Sequence, residues 1–314
     1  MILLLSIAAF IGSMLLLYVG SEGIVHAATR LAHTLNLHKA VVGTVFVASV
    51  TSAPELLSSL TAAFYGSSHM ALGNIIGSNI YNVPLIIGIC GLIGTFKIKN
   101  STIGKECLFM MGLAALLMIL TLVTRVVAWW TGIIFLAFYP AFIYCSIRKG
   151  NGNGVAENPR NKSLTKPAAA MILGGAALVA GTFLLVYSAI ELAELFGLSQ
   201  FYAGLTIMAL GCVVPETAVS VAAALHGEQE ISIGNVVGDN IITATLVLGL
   251  VALIKWHFTV STEEILTTMP FMILVTLVLF VMNRRSHKIT KPWSILMLAI
   301  AIAAFIIETF NHVA

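Results

Sequence analysis

Charge is what this chain of 314 residues has least of: Asp, Glu, Lys and Arg make up 9% of it, against about 25% in soluble domains. So few charges cannot keep a 33.4 kDa globule in solution, which excludes a soluble enzyme. Disorder is excluded too, because 59% of the residues are hydrophobic and apolar surface is abundant. The net charge of +3 is too small to mark a nucleic-acid binder. Cysteines are few, and Cys90, Cys107, Cys145 and Cys212 form no Cys-x-x-Cys pair. All lie in or beside apolar runs and read as small buried side chains. Long polar stretches are absent as well, except for residues 148–166, RKGNGNGVAENPRNKSLTK.

What is there is apolar sequence cut into lengths that fit a bilayer. About 20 apolar residues cross one as a helix. Ten runs qualify, at roughly 2–30, 41–64, 70–94, 107–123, 127–147, 167–196, 202–225, 231–254, 265–283 and 293–309. The first has no basic region before it and reads as a retained span rather than a cleaved signal. The connections after odd-numbered spans carry 14 of the 16 Lys and Arg residues, leaving Arg125 and Lys255 on the other side. By the positive-inside rule the 148–166 linker is cytoplasmic and both termini of this multi-pass cell-membrane protein lie outside.

The chain repeats itself. GTVFVASVTSAPELLSSLTAAFYG (43–66) aligns with GLTIMALGCVVPETAVSVAAALHG (204–227), and GNIIGSNIYN (73–82) with GNVVGDNIIT (234–243). The offset is constant, 216 − 55 = 161 and 234 − 73 = 161. Chance likeness between apolar segments does not put Pro-Glu, Gly-Asn and Gly-x-Asn in one register without a gap. Each copy holds five spans, an odd number, so the second enters the membrane upside down. The expected fold is an all-α polytopic membrane protein: ten transmembrane helices in two inverted five-helix repeats, 1–147 and 167–314, with broken helices at the midplane. The repeated motifs occupy 43–82 and 204–243. Inverted repeats are a hallmark of secondary transporters, whose site lies near the midplane between the copies.

Three acids lie deep within the spans that carry the repeated motifs: Glu55 and Glu216, both near mid-span, and Asp239. A charge at that depth costs roughly 2.5–3.5 kcal/mol, and no Lys or Arg lies at the same level. The compensation has to come from a bound cation or from protons. Pro54 and Pro215 stand beside the two Glu residues. Proline has no N–H and clashes with the carbonyl four residues back, so each is expected to break its helix and leave main-chain carbonyls unpaired. Carbonyls and carboxylates are hard oxygen ligands, suited to Ca²⁺ and Na⁺. Thr51, Ser52, Ser78, Asn82 and Thr243 add further oxygen nearby. Gly73, Gly77, Gly234 and Gly238 have the spacing that lets helices approach closely. Asn79 and Asn240 fit interhelical hydrogen bonds better than ligand positions, and His26, His33 and His38 read as interfacial.

These two copies of Pro-Glu followed by Gly-Asn-x-x-Gly-x-Asn resemble the alpha repeats of the calcium/cation antiporter superfamily, closest to the prokaryotic sodium/calcium exchangers. The resemblance covers most of the chain. It implies a central Ca²⁺ site of the Glu55 and Glu216 carboxylates with the Thr51 and Cys212 carbonyls. It implies flanking Na⁺ sites from the Ala48 and Ala209 carbonyls with Ser52, Ser78, Val213 and Asp239, and a middle position at Asn82 and Thr243. The second copy departs from the family pattern. Cys212 and Val213 replace Thr and Ser, Asp239 replaces the usual Ser, and Thr243 the usual Asp.

The expected function is therefore a secondary antiporter exchanging Ca²⁺ for Na⁺ by alternating access, acting as a monomer in the bilayer with no cofactor beyond its transported ions. Ca²⁺/H⁺ or Mg²⁺ exchange, or an altered Na⁺ stoichiometry, is the near alternative, and a passive cation channel the alternative of another class. An intramembrane protease is disfavoured because Gly238-Asp239 has no matching second motif. The first and sixth spans, long and poor in polar residues, are expected to slide together over the others. Valine at 213 predicts a weakened Na⁺ site on the outer side.

Overall fold

In lipid every backbone polar group must be satisfied within the protein, and helices do this segment by segment. The computed structural model, which describes residues 2–35, 39–94, 96–97, 101–150, 165–195, 197, 199–286 and 288–313, is accordingly almost entirely helical. Its helical segments are α1 (Ile2–Leu35), α2 (Lys39–Phe64), α3 (Ser68–Ile93), α4 (Ser101–Thr124), α5 (Trp129–Gly150), α6 (Thr165–Leu195), α7 (Gln200–Leu225), α8 (Gln229–Lys255), α9 (Thr262–Ser286) and α10 (Lys291–Val313). Among the described residues nine of these are long and apolar enough to cross a membrane. The sixth contributes a shorter apolar helix, Ala169–Leu185. Most of the expected 148–166 linker, and His38, lie outside the described residues.

The helices sort into two layers. The buried share is 83% in α3 and 78% in α8, against 24% in α1, so α3 and α8, with α2 and α7, form the centre. Helix α1 packs along α6 and turns Leu4, Leu5, Leu15 and Val19 outward, as a lipid-facing helix does. Glycine permits the central contacts. A Cβ on Gly238 would meet the Ala48 Cβ at 2.8 Å, and one on Gly77 the Ala209 Cβ at 2.7 Å. Helix α8 of one copy therefore lies against α2 of the other, and α3 against α7.

The inverted repeat is also written in two short strand pairs. Strands β1 (Phe96–Lys97) and β4 (Lys288–Ile289) pair antiparallel, as do β2 (Val126–Ala128) and β3 (His257–Thr259). Phe96 faces Ile289 and Lys97 faces Lys288; Ala128 faces His257 and Val127 faces Phe258. Shifting residues by the 161 offset turns the first two pairs into the last two. The pseudosymmetry thus holds in backbone register far from the repeated motifs that revealed it.

The backbone around the two matched prolines differs between copies. In α2 a wide-turned segment, Val42–Val47, leads into Ala48–Thr51, and the helix then breaks at Ser52 (φ −70, ψ −1) and resumes over Ala53–Phe64 with Pro54 in its first turn. In α7 the matching wide turn, Gly204–Met208, is present, but the helix then runs unbroken over Ala209–Leu225 with Pro215 inside it. Both prolines lack an N–H, so Pro215 weakens its helix without interrupting it. The bend in α2 falls on Ser52, whose hydroxyl is drawn to other partners. The matching residue of α7 is Val213, which has no hydroxyl. A third wide turn, Thr243–Val247, lies in α8 alone.

Candidate cation-binding centre

Three acids from three of the central helices converge on one point. Glu55 comes from the first turn of the resumed helix in α2, Glu216 from α7 and Asp239 from α8. All are fully buried, and one oxygen from each lies within 4.8 Å of the others. That span is twice a Ca²⁺–oxygen distance of about 2.4 Å, so one cation can touch all three. Neither oxygen of Glu55 or of Glu216 has a hydrogen-bond partner. Carboxylates in a protein interior are otherwise held by donors, and these two lie beside each other and Asp239 instead.

Asp239 is held differently. It accepts from the Ser52 hydroxyl across the copies, and from Asn82 Nδ2 at 2.7 Å. Asn82 also donates to Asn240 Oδ1 at 2.9 Å, and Asn240 in turn donates to the Asn79 carbonyl at 3.0 Å. Asn240 thus makes the interhelical bond expected of it, while Asn79 bonds back to Ile75 in its own helix. The oxygens Ser78 Oγ, Asn82 Oδ1 and Thr243 Oγ1 are buried and without partners, in keeping with a ligand set made of oxygen.

The other expected positions fall around this centre with varied duties. Thr51 is buried, and its hydroxyl lies 3.1 Å from Val47 O and 2.9 Å from Asn235 Oδ1. Cys212 is buried with its sulfur 3.4 Å from Ser58 Oγ. The Ala48 carbonyl already accepts from Ser52 N at 2.8 Å and from Ser52 Oγ at 2.6 Å; a cation there would displace one of these bonds. Ala209 and Val213 are buried, Ala209 against Gly77.

The sequence and the fold both have known relatives. A family model described as sodium/calcium exchanger protein matches residues 5–148 and 166–310. The chain belongs to the sodium/calcium exchanger family. The exchanger is 33% identical to the putative antiporter CaxA of Alkalimonas amylolytica over 79% of this chain and 80% of that one. It is 28% identical to the sodium/calcium exchanger MaX1 of Methanosarcina acetivorans over 93% and 94%. A solved structure of the sodium-calcium exchanger NCX_Mj superposes with a TM-score of 0.78 at 26% identity, covering 97% of this chain and 99% of that one. Such proteins are secondary transporters, not enzymes, and the exchanger accordingly is a multi-helix integral membrane protein of the cation antiporter class.

Sequence reasoning missed one layer of the exchanger's centre. Asn74 donates to Ser58 and Ser59 at 3.1 and 2.9 Å, and its repeat mate Asn235 donates to Ser220 at 3.0 Å. These bonds tie α3 to α2 and α8 to α7 one turn from the acids. The signal was present, since each Asn follows the first Gly of the repeated Gly-Asn. A second residue missed is Glu308, an acid inside the last span, buried on α10.

Proposed function

We propose that this chain exchanges Ca²⁺ for Na⁺ by alternating access, with Ca²⁺ held between Glu55 and Glu216. The observation that carries the reading is the pair of buried glutamates whose four oxygens have no donor, set within reach of a third carboxylate. Two ionised groups in that position repel each other unless a divalent cation lies between them. Main-chain oxygen at Thr51 and Cys212 completes the central shell. Ala48, Ser52 and Asp239, with Ala209 and Ser78 opposite, form the flanking Na⁺ positions, and Asn82 and Thr243 the middle one. Pro54 and Pro215 free carbonyls for these roles. The relatives' names, sodium/calcium exchanger and putative antiporter, point the same way.

In this reading the chain divides at a cytoplasmic linker, 148–166, into repeats 1–147 and 167–314, with both termini outside and one chain sufficing for transport. The long pair α1 and α6, which packs as a unit and exposes apolar faces, slides over the four central helices to open the site to each side in turn.

One observation favours a second reading in which the counter-ion is fewer Na⁺, or H⁺. The two flanking pockets are unlike: Asp239 and Ser52 share a hydrogen bond on one side, while Val213 presents only methyl groups on the other. The test of both readings is Ca²⁺ uptake into proteoliposomes under an imposed Na⁺, K⁺ or proton gradient. Uptake driven by Na⁺ supports the first reading and uptake driven by protons alone the second. Uptake that needs no counter-ion would identify a channel.

A further inference from the structure

Not every buried acid belongs to the cation centre. Glu308, on α10, is fully buried. It accepts the hydroxyl of Tyr81 on α3 through Oε2, while Oε1 has no hydrogen-bond partner. Tyr81 comes from α3. Tyr202 comes from α7 and pairs with the neighbouring Thr309 hydroxyl at 2.8 Å. Helix α9 brings Glu263 and Glu264 to the same end of the bundle, where Glu264 turns to His69 on α3 at 3.6 Å. No Lys or Arg pairs with Glu308 among the described residues.

The repeat supplies the control. The α3–α10 contact has a symmetry mate in the α8–α5 contact. There the positions of Tyr81 and Glu308 are held by Ile242 and Ile147, 161 residues away in each case. Ile242 is buried in that setting. The matching positions of the other copy are thus apolar, and the repeated helix contact does not by itself call for an acid and a phenol. An ionised carboxylate at this place, with one donor and no cation, is an uncompensated charge buried in the protein interior. A proton removes the charge and keeps the tyrosine bond.

We propose that Glu308 and Tyr81 form a proton-binding site separate from the three-carboxylate centre, whose occupancy tunes transport through α3. Protonation adds H⁺ to a Glu308 oxygen and leaves the Tyr81 hydroxyl donating to a neutral acid. Release makes that bond charge-assisted and shorter, which pulls Tyr81 toward α10. Tyr81 precedes Asn82, which holds Asp239, and stands one helical turn from Ser78. The pull therefore reaches the centre from one side only, since the other copy has no such pair. The tuning half of the proposal rests on the transport reading above; the proton site itself does not.

Infrared spectroscopy of the purified protein in lipid at neutral pH tests the site directly. The expected result is a protonated-carboxyl band that saturating Ca²⁺ leaves in place, that Glu308→Gln removes and that Tyr81→Phe shifts. In proteoliposomes the pH profile of Ca²⁺ flux should then be displaced in both variants. Glu308→Asp, which keeps the acid, serves if the Gln form fails to accumulate; its band should persist at a shifted frequency. A wild-type carboxyl spectrum unchanged by either Glu308 variant overturns the proton site, whatever the flux. A band lost as expected with pH profiles that superimpose on wild type overturns the tuning.

Discussion

Ser52 gives its hydroxyl to the carboxylate of Asp239, a residue 187 positions away in the other repeat. The mates of these two residues are Val213 and Ser78, which make no such bond: the valine has no polar atom and Ser78 Oγ has no partner. The two copies thus place unequal side chains at matching positions, and this inequality sets the first prediction.

Replacing Val213 by Ser restores the hydroxyl that its copy lacks. Ca²⁺ flux should become more steeply dependent on Na⁺ concentration, because a further Na⁺ can be fully coordinated. Replacing Asp239 by Ser should weaken the Na⁺ dependence by removing the carboxylate of the other pocket. The measurement is the Na⁺ concentration dependence of flux in proteoliposomes; identical curves for wild type and Val213→Ser would remove the valine from any ion pocket.

Either Glu55→Gln or Glu216→Gln should reduce Ca²⁺ transport by a hundredfold or more. Breaking a buried charge arrangement on one side costs about 3–5 kcal/mol, and an amide presents one oxygen where the carboxylate presented two. The amide is nearly isosteric, so both variants should elute as folded protein on size-exclusion chromatography while losing uptake.

Acidification should weaken Ca²⁺ binding. Ligand carboxylates must be deprotonated to coordinate a divalent ion, so protons and Ca²⁺ compete for Glu55, Glu216 and Asp239. Apparent affinity should fall as pH falls, and binding should release protons. Calorimetry in buffers of different ionisation enthalpy measures that release; a buffer-independent heat would count against carboxylate ligation.

Close packing around the centre should be intolerant of bulk. A Cβ on Gly77 or Gly238 meets a neighbouring Cβ well inside van der Waals distance, and overpacking typically costs about 1–3 kcal/mol. Gly77→Val and Gly238→Val should lower the melting temperature and abolish flux. Gly112→Ala, where nothing lies within 4 Å, should leave the melting temperature unchanged or raise it.

Much of this protein was legible in the sequence, for physical reasons that also mark the limit. The membrane class followed from the scarcity of charge, and the repeat from Pro-Glu and Gly-Asn in one register. The three acids stood out because an ionisable group in a span is expensive without a partner. Whether a proline interrupts its helix was not legible. Pro54 and Pro215 have the same local sequence role, yet only α2 breaks, at Ser52, where a hydroxyl has partners on another helix. The Tyr81–Glu308 pair was hidden for a similar reason, since α3 and α10 meet only in the folded bundle. Asn74 and Asn235 were visible as motif residues, but their serine partners 15 residues away were not.

The central claim is that one Ca²⁺ sits between Glu55 and Glu216, and equilibrium Ca²⁺ titration of the purified protein by calorimetry tests it most directly. One high-affinity Ca²⁺ per chain in the wild type, lost in Glu55→Gln and in Glu216→Gln and retained in Glu308→Gln, is the result predicted. Undiminished Ca²⁺ binding by either central variant would place the site elsewhere and contradict the account.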